Sequence, residues 1–333
     1  MVSIVIPIYN EEEIFHLLHA AVTGAMAPTG EDYEIVYVND GSRDSSLQLL
    51  LAEQARDPHV VVVDLSRNWG HMGAITAGLK TAKGDAVVLM DGDLQDPPSV
   101  LPEMIVEWRK GAQIVTAVRR SRQESRKLLA FIFPLFHKFL DKMSDYPIPL
   151  NSGIFGLVDR QAMDVINSLQ EGNRYFPGLR AWVGYKNAIV YYDRADRIGG
   201  EGKLSFMSRV KYAFDAIYSF SYKPLRFTAA AGLATMLAAM LCGIAAIILG
   251  LSQTAGWAPY LGLIAALLFV GGLQMVCLGV VSEYIGRIYD EVRRRPLSLI
   301  HKVYRSDRRA GFNLAEMAES ETVNVNKGSL RAA

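Results

Sequence analysis

The chain has 333 residues, half of them apolar, with 35 basic against 34 acidic side chains. That supplies core for one large domain or two modest ones, and the balanced charge argues against a general nucleic-acid binder, which carries a basic excess. The two cysteines, Cys242 and Cys277, both lie in apolar segments, so neither a disulfide framework nor a cysteine zinc site is expected.

The N-terminal MVSIVIPIYNEEE has no basic region followed by a cleavage site, and it reads as a first strand rather than a signal peptide. A helical stretch follows from Glu11. Then YEIVYVND leads into SRDSSLQLLLAEQA, VVVVDLS into GAITAGLKTAKG, and AVVLMDGD into PSVLPEMIVEWRKG. Strands alternating with helices of this length predict right-handed βαβ units and a doubly wound, mostly parallel sheet. Such sheets bind ligands at the carboxyl ends of their strands. Each predicted strand ends there in a polar cluster: Tyr9-Asn10-Glu11, Asn39-Asp40-Gly41-Ser42, Ser66-Arg67-Asn68 and Asp91-Gly92-Asp93. Four such endings predict one composite site.

The fourth ending is the most acidic. After the apolar run Val87 to Met90, the carboxylates of Asp91, Asp93 and Asp96 arrive within six positions. Like charges this close repel in a partly buried site unless a cation sits between them. With oxygen ligands and no His or Cys nearby in sequence, a hard ion such as Mg²⁺ or Mn²⁺ is the expected guest. Mg²⁺ commonly takes one or two protein carboxylates and fills its other positions with water and phosphate oxygens, which points to a diphosphate substrate.

Toward the other end, residues 227 to 282 contain no Asp, Glu, Lys or Arg. Two apolar runs, about 227–251 and 260–282, are each long enough to cross a hydrocarbon layer of roughly 30 Å. Lys223 and Arg226 flank one side, and Arg287, Arg293, Arg294 and Arg295 the other, so the positive-inside rule places both flanks in the cytoplasm. A buried helical hairpin in a soluble protein is the alternative. Two further stretches, RKLLAFIFPLFHKFLDKM and FMSRVKYAFDAIYSF, have amphipathic spacing that suits either the bilayer interface or packing on the soluble core. The tail beyond Ser306 is polar and charge-mixed, as disordered segments are. The expected division is a catalytic domain over 1–204, a juxtamembrane helix over 205–226, two membrane spans over 227–285 and a cytoplasmic tail over 286–333.

Four segments, SIVIPIYNEEE, VYVNDGSRDSS, LSRNWGHMGAITAGL and VVLMDGDLQDPP, occur in the order and with the spacing of family 2 glycosyltransferases, which the chain resembles over most of its length. The paired apolar runs narrow the resemblance to the polyprenyl-phosphate glycosyltransferases, similar to dolichol-phosphate mannose synthase and the bacterial GtrB-like enzymes. The resemblance implies a GT-A type α/β fold with a C-terminal two-helix transmembrane hairpin in the inner membrane. It also implies metal-dependent, inverting transfer of one sugar from a nucleotide diphosphate donor, UDP being the commoner carrier, to a polyprenyl phosphate. By position, Pro7, Tyr9 and Glu11 would line the nucleotide pocket and Asp40 would contact base or ribose. Asp91, Asp93 and Gln95 would be the catalytic group, with Asp93 and Asp91 on Mg²⁺ or Mn²⁺. GNRYFPGLRAWVGY resembles the acceptor-side loop and helix, with Arg174 and Trp182 at recurring positions. Arg174 would then join Arg119, Arg122, Arg194, Arg197 and Lys203 as residues holding the acceptor phosphate.

One departure tests this resemblance. Where many relatives carry a carboxylate, then Phe and Arg, this chain has Ile154, Phe155 and Gly156. Isoleucine takes no proton. A phosphate monoester acceptor, with a second pKa of about 6, is largely a dianion at neutral pH and needs positioning more than a base. Asp159, in LVDRQAMDVI, is expected to cap a helix instead of acting as a substitute base. A processive polysaccharide synthase is disfavoured, since two spans make no translocation channel and no Gln-x-x-Arg-Trp sequence occurs. A non-catalytic membrane scaffold or flippase partner stays open, as does a homo-oligomer.

Overall fold

The computed structural model describes residues 1–120, 152–169, 171–172, 174–194, 225, 228, 230–238, 240–241 and 258–306. Both amphipathic stretches, Arg122, Arg197, Lys203 and the tail after Ser306 lie outside the described residues.

An eight-stranded sheet organises the chain. In sequence its elements are β1 (Val2–Ile8), α1 (Phe15–Met26), β2 (Tyr33–Asn39), α2 (Ser46–Arg56), β3 (Val60–Leu65), α3 (His71–Thr81), β4 (Ala86–Leu89), α4 (Leu101–Arg109) and β5 (Ile114–Arg119). There follow β6 (Ser152–Asp159), α5 (Arg160–Ser168), α6 (Phe176–Trp182), β7 (Asn187–Tyr192), α7 (Ala258–Arg293) and β8 (Ile300–Arg305). The strand order is β7-β5-β6-β4-β1-β2-β3-β8. β1 runs parallel to β2 and β4, β2 to β3, and β5 to β7, while β6 and β8 are antiparallel to their neighbours. The result is the doubly wound, mostly parallel sheet expected.

Alternation explains the two cores. Val2, Ile4, Ile6 and Ile8 of β1 pack with Phe15, Leu18, Val22 and Met26 of α1 on one face. Val5 packs with Ala74, Ile75 and Leu79 of α3 on the other. A strand buried on both faces reads as a continuous apolar run, and each fully buried Val or Ile contributes roughly 1.5–3 kcal/mol. The first helix begins at Phe15 rather than Glu11. The intervening residues form a loop: Asn10 takes φ 54°, and the Asn10 and Glu11 amides donate to Ser42 Oγ and Ser46 Oγ.

The segment Gly262–Arg293 within α7 is long and apolar enough to cross a membrane, with mean hydropathy 2.4 and none of its apolar window buried. Residues 230–238 of the preceding apolar run are also helical. Cys277 Sγ comes within 3.9 Å of Thr228 O, joining the two segments. Past α7, Arg294 turns the chain with φ 49°, and Leu299 O accepts from Ser66 N at 3.0 Å. The chain then re-enters the sheet as β8, so the outer strand comes from beyond the apolar helix. Arg305 Nη1 meets Glu34 Oε2 at 2.6 Å, and Glu34 Oε1 accepts from Ser3 Oγ and Lys83 N, each at 2.6 Å.

Candidate active site

Four strand ends meet at one edge of the sheet, and each is tied to the next. Asn10 N donates to Ser42 Oγ at 3.1 Å and Arg43 N to Asn10 Oδ1 at 2.8 Å, joining the β1 and β2 ends. Trp69 N donates to Asp40 Oδ1 at 2.7 Å, joining β2 to the β3–α3 loop. Gly41 has φ 63°, and a Cβ on it would lie 2.5 Å from Asn68 N, so glycine alone fits this approach. A Cβ on Gly92 would lie 3.0 Å from Pro7 O, which sets the acidic loop against β1. His71 Nε2 lies 3.3 Å from Asp91 Oδ1, closing the ring from α3 to the β4 end. The predicted nucleotide residues Pro7, Tyr9, Glu11 and Asp40 and the predicted acidic residues Asp91, Asp93 and Gln95 therefore share one edge.

The electrostatics follow from burial. Burial raises the Asp40 carboxyl above the usual range, against amide bonds from Trp69 and Gly70 and the charges of His71 and Arg67. Asp91 is pushed up to about 6, first by burial and then by the negative charges of Asp96 and Asp93, against the positive influence of His71 and Arg194. The edge is short of positive charge, and an added cation reverses that shift. Next to it Leu94, a buried residue, holds φ 57°, turning the chain so that Gln95 N donates to Asp93 Oδ1 at 3.1 Å. Gln95 Oε1 accepts from Arg194 Nη2 at 2.6 Å, linking the acidic loop to the segment after β7.

Asp96 has a different task. It is 1% exposed; the Tyr192 hydroxyl donates to its Oδ1 at 2.6 Å, and Arg119 Nη2 lies 3.7 Å away. Arg119 Nε also donates to the Tyr192 oxygen at 3.0 Å. This Asp-Tyr-Arg group pins the acidic loop to the ends of β5 and β7. Tyr192→Phe leaves Asp96 buried with only the more distant guanidinium, and is expected to destabilise the fold by about 1–3 kcal/mol in thermal unfolding.

Arg174 is a correction. Expected at the acceptor phosphate, it is instead 6% exposed. Its guanidinium donates to Thr76 Oγ1 at 3.3 Å, to Leu169 O at 3.2 Å and to Ile166 O. It ties the last carbonyls of α5 to α3, and burial lowers its pKa. Trp182, at the end of α6, is exposed. Ile154 packs in the apolar core with Phe176 and Leu179, so the position offers no titrating group. Beneath it Arg180, also buried, donates to Gly153 O at 2.5 Å and to Ile154 O and Phe155 O at 3.3 Å. Asp159 caps α5, accepting from Gln161 N at 2.9 Å, as expected.

His71, Tyr192 and Arg180 escaped the sequence reading. His71 lies twenty positions before Asp91 and becomes its neighbour only because α3 starts beside the β4 end. A histidine one residue past the glycine that opens a helix was the available signal.

Residues 3–166 match Glycosyl transferase family 2, and residues 223–288 match the GtrB C-terminal hairpin. A doubly wound sheet with this acidic edge and that match defines a transferase of the GT-A type. The chain is 40% identical to the uncharacterized glycosyltransferase YkcC of Bacillus subtilis, over 91% of this chain and 94% of that one. It is 37% identical to the SfII prophage-derived bactoprenol glucosyl transferase of Shigella flexneri, over 92% and 99%. A crystal structure of S. aureus TarS 1-349 in complex with UDP-GlcNAc aligns with a TM-score of 0.45 at 16% identity, over 66% of this chain and 65% of that one. The chain belongs to the family 2 glycosyltransferases and is an enzyme that transfers a sugar.

Proposed function

We propose that the enzyme moves one sugar, with inversion, from a UDP-linked donor to a polyprenyl phosphate at the cytoplasmic face of the membrane. The observation that carries this reading is the continuity of α7 with the sheet: the chain leaves the apolar helix and within a few residues pairs with β3, entering at the carboxyl end of that strand, and β3 shares the sheet with β4 and its acidic loop. That continuity suits a donor arriving from water and an acceptor arriving from lipid. The Shigella relative's printed name, bactoprenol glucosyl transferase, agrees with it.

In this reading Pro7, Tyr9, Glu11 and Asp40 line the nucleotide, and Asp91, Asp93 and Gln95 face the diphosphate. The residues present fit a divalent cation. Their donors are oxygens, and Asp91 and Asp93 stand two residues apart just past β4. Mg²⁺ or Mn²⁺ commonly takes one or two protein carboxylates and fills its remaining positions with phosphate oxygens and water. Held by Asp93 and Asp91, such an ion would supply charge neutralisation to the departing diphosphate. Arg119 and Arg194, with Arg122, Arg197 and Lys203, would hold the acceptor phosphate, and Gln95 keeps Arg194 beside the acidic loop.

The acceptor oxygen is already anionic, so Ile154 costs the reaction no base. Turnover is accordingly expected to fall as pH drops through about 6, where the phosphate monoester takes up its second proton, and a pH–rate profile with the lipid acceptor checks this. The deciding experiment incubates detergent-solubilised enzyme with Mg²⁺ or Mn²⁺, undecaprenyl phosphate and a panel of UDP- and GDP-sugars, then reads the lipid by mass spectrometry. A glycosyl-phosphoryl-lipid from one donor supports the reading and names the sugar. Nucleotide binding without product from any donor points to the scaffold alternative.

A further inference from the structure

The short segment Trp69-Gly70-His71, between β3 and α3, touches two carboxylates that belong to different strands. At its first residue the backbone amide of Trp69 holds Asp40 Oδ1 at 2.7 Å, at the end of β2. Two residues on, His71 Nε2 lies 3.3 Å from Asp91 Oδ1, just past β4. In the sheet these strands are not neighbours, since β1 lies between them.

The pivot between the two contacts is Gly70, whose φ of 82° lies in the left-handed region. Nothing lies within 4 Å of where its Cβ would be, so its conformation, not its surroundings, selects glycine. Trp69 is itself braced, its ring under the Arg67 guanidinium at 3.7 Å and its Nε1 donating to Ser66 Oγ at 3.1 Å. Behind α3, Gly73 packs against Leu297 O, just ahead of β8. The segment is thus held at its front by the Trp69 stacking and at its rear by the chain returning from α7. The His71 imidazole is about half exposed and stands at the open edge of the site.

We infer that His71 is a positioning residue for Asp91, and that residues 69–71 form one brace setting the placement of Asp91 relative to Asp40. Protonated, His71 sets a positive charge against Asp91 Oδ1, which leaves the second carboxylate oxygen to face the donor. This rests on the reading in which Asp40 faces the nucleoside and Asp91 the diphosphate. A brace of this kind matches the two carboxylates to the two ends of a nucleoside diphosphate.

The test measures uridine and UDP binding by calorimetry, with Mn²⁺ present, for the full-length protein in detergent, together with kcat and KM for sugar transfer. His71→Ala is expected to weaken UDP about tenfold while leaving uridine unchanged, with most of the loss in donor KM rather than kcat. His71→Gln, whose amide nitrogen reaches the position of Nε2, is expected to restore part of that affinity. Gly70→Ala, which displaces both ends of the brace, is expected to weaken uridine and UDP together. UDP binding unchanged in His71→Ala, or uridine weakened as much as UDP in that variant, overturns the inference. No rescue by His71→Gln overturns it equally. Wild-type protein that binds neither UDP nor GDP overturns the underlying donor reading, and the wild-type control separates that failure from the others.

Discussion

Asp93→Asn is expected to lower sugar transfer by about 10²- to 10³-fold while leaving thermal unfolding unchanged. The substitution removes a charge but keeps an oxygen that can accept from Gln95 N, so the turn at Leu94 survives. Asp96→Asn, three residues further on, should behave in the opposite way. Its carboxylate is buried between Tyr192 and Arg119, and losing its charge there strikes the fold first. Parallel activity and unfolding measurements on the two variants separate the roles. Equal loss of stability in both would mean that the acidic loop collapses as a unit, and that Asp93 has no distinct part in the chemistry.

Arg305→Ala is expected to cost about 3–5 kcal/mol, a large share of a typical folding margin of about 5–15 kcal/mol. Glu34 is buried, and Arg305 is the cation placed on it, at 2.6 Å. The same guanidinium reaches Thr81 O at 3.1 Å, so its loss also loosens the end of α3. Denaturant unfolding measures the cost, and the paired change Arg305→Met with Glu34→Gln should recover much of it, because no uncompensated charge then remains. A cost below about 1 kcal/mol in the single variant would show that water or another cation reaches Glu34 when Arg305 is gone.

The contrast between these carboxylates shows what the sequence could disclose. β1 to β4 were legible because burial on both faces writes a mainly apolar run, and the polar clusters follow the strands directly. The Asp159 cap was legible for the same reason of locality, its partner being two residues away. Asp91, Asp93 and Asp96 look alike in the sequence. What separates Asp96 is a tyrosine 96 positions later. Arg174 looked like a phosphate ligand because an arginine in a polar loop next to an acceptor-like helix has the same local signature as one bonded to helix-end carbonyls. β8 was missed because IHKVYR is short, a third charged and separated from its partner strand by both apolar runs, so only long-range pairing reveals it.

That eighth strand also constrains how the molecule is made. Residues 300–305 are synthesised after the whole of α7, yet they complete a sheet whose β3 was finished by residue 65. Until that strand is made, β3 presents an open edge, the kind of edge that recruits other strands. The sheet is therefore complete only once the whole of α7 has been made. A chain that stops within α7 is left with an unsealed sheet, open to aggregation and proteolysis.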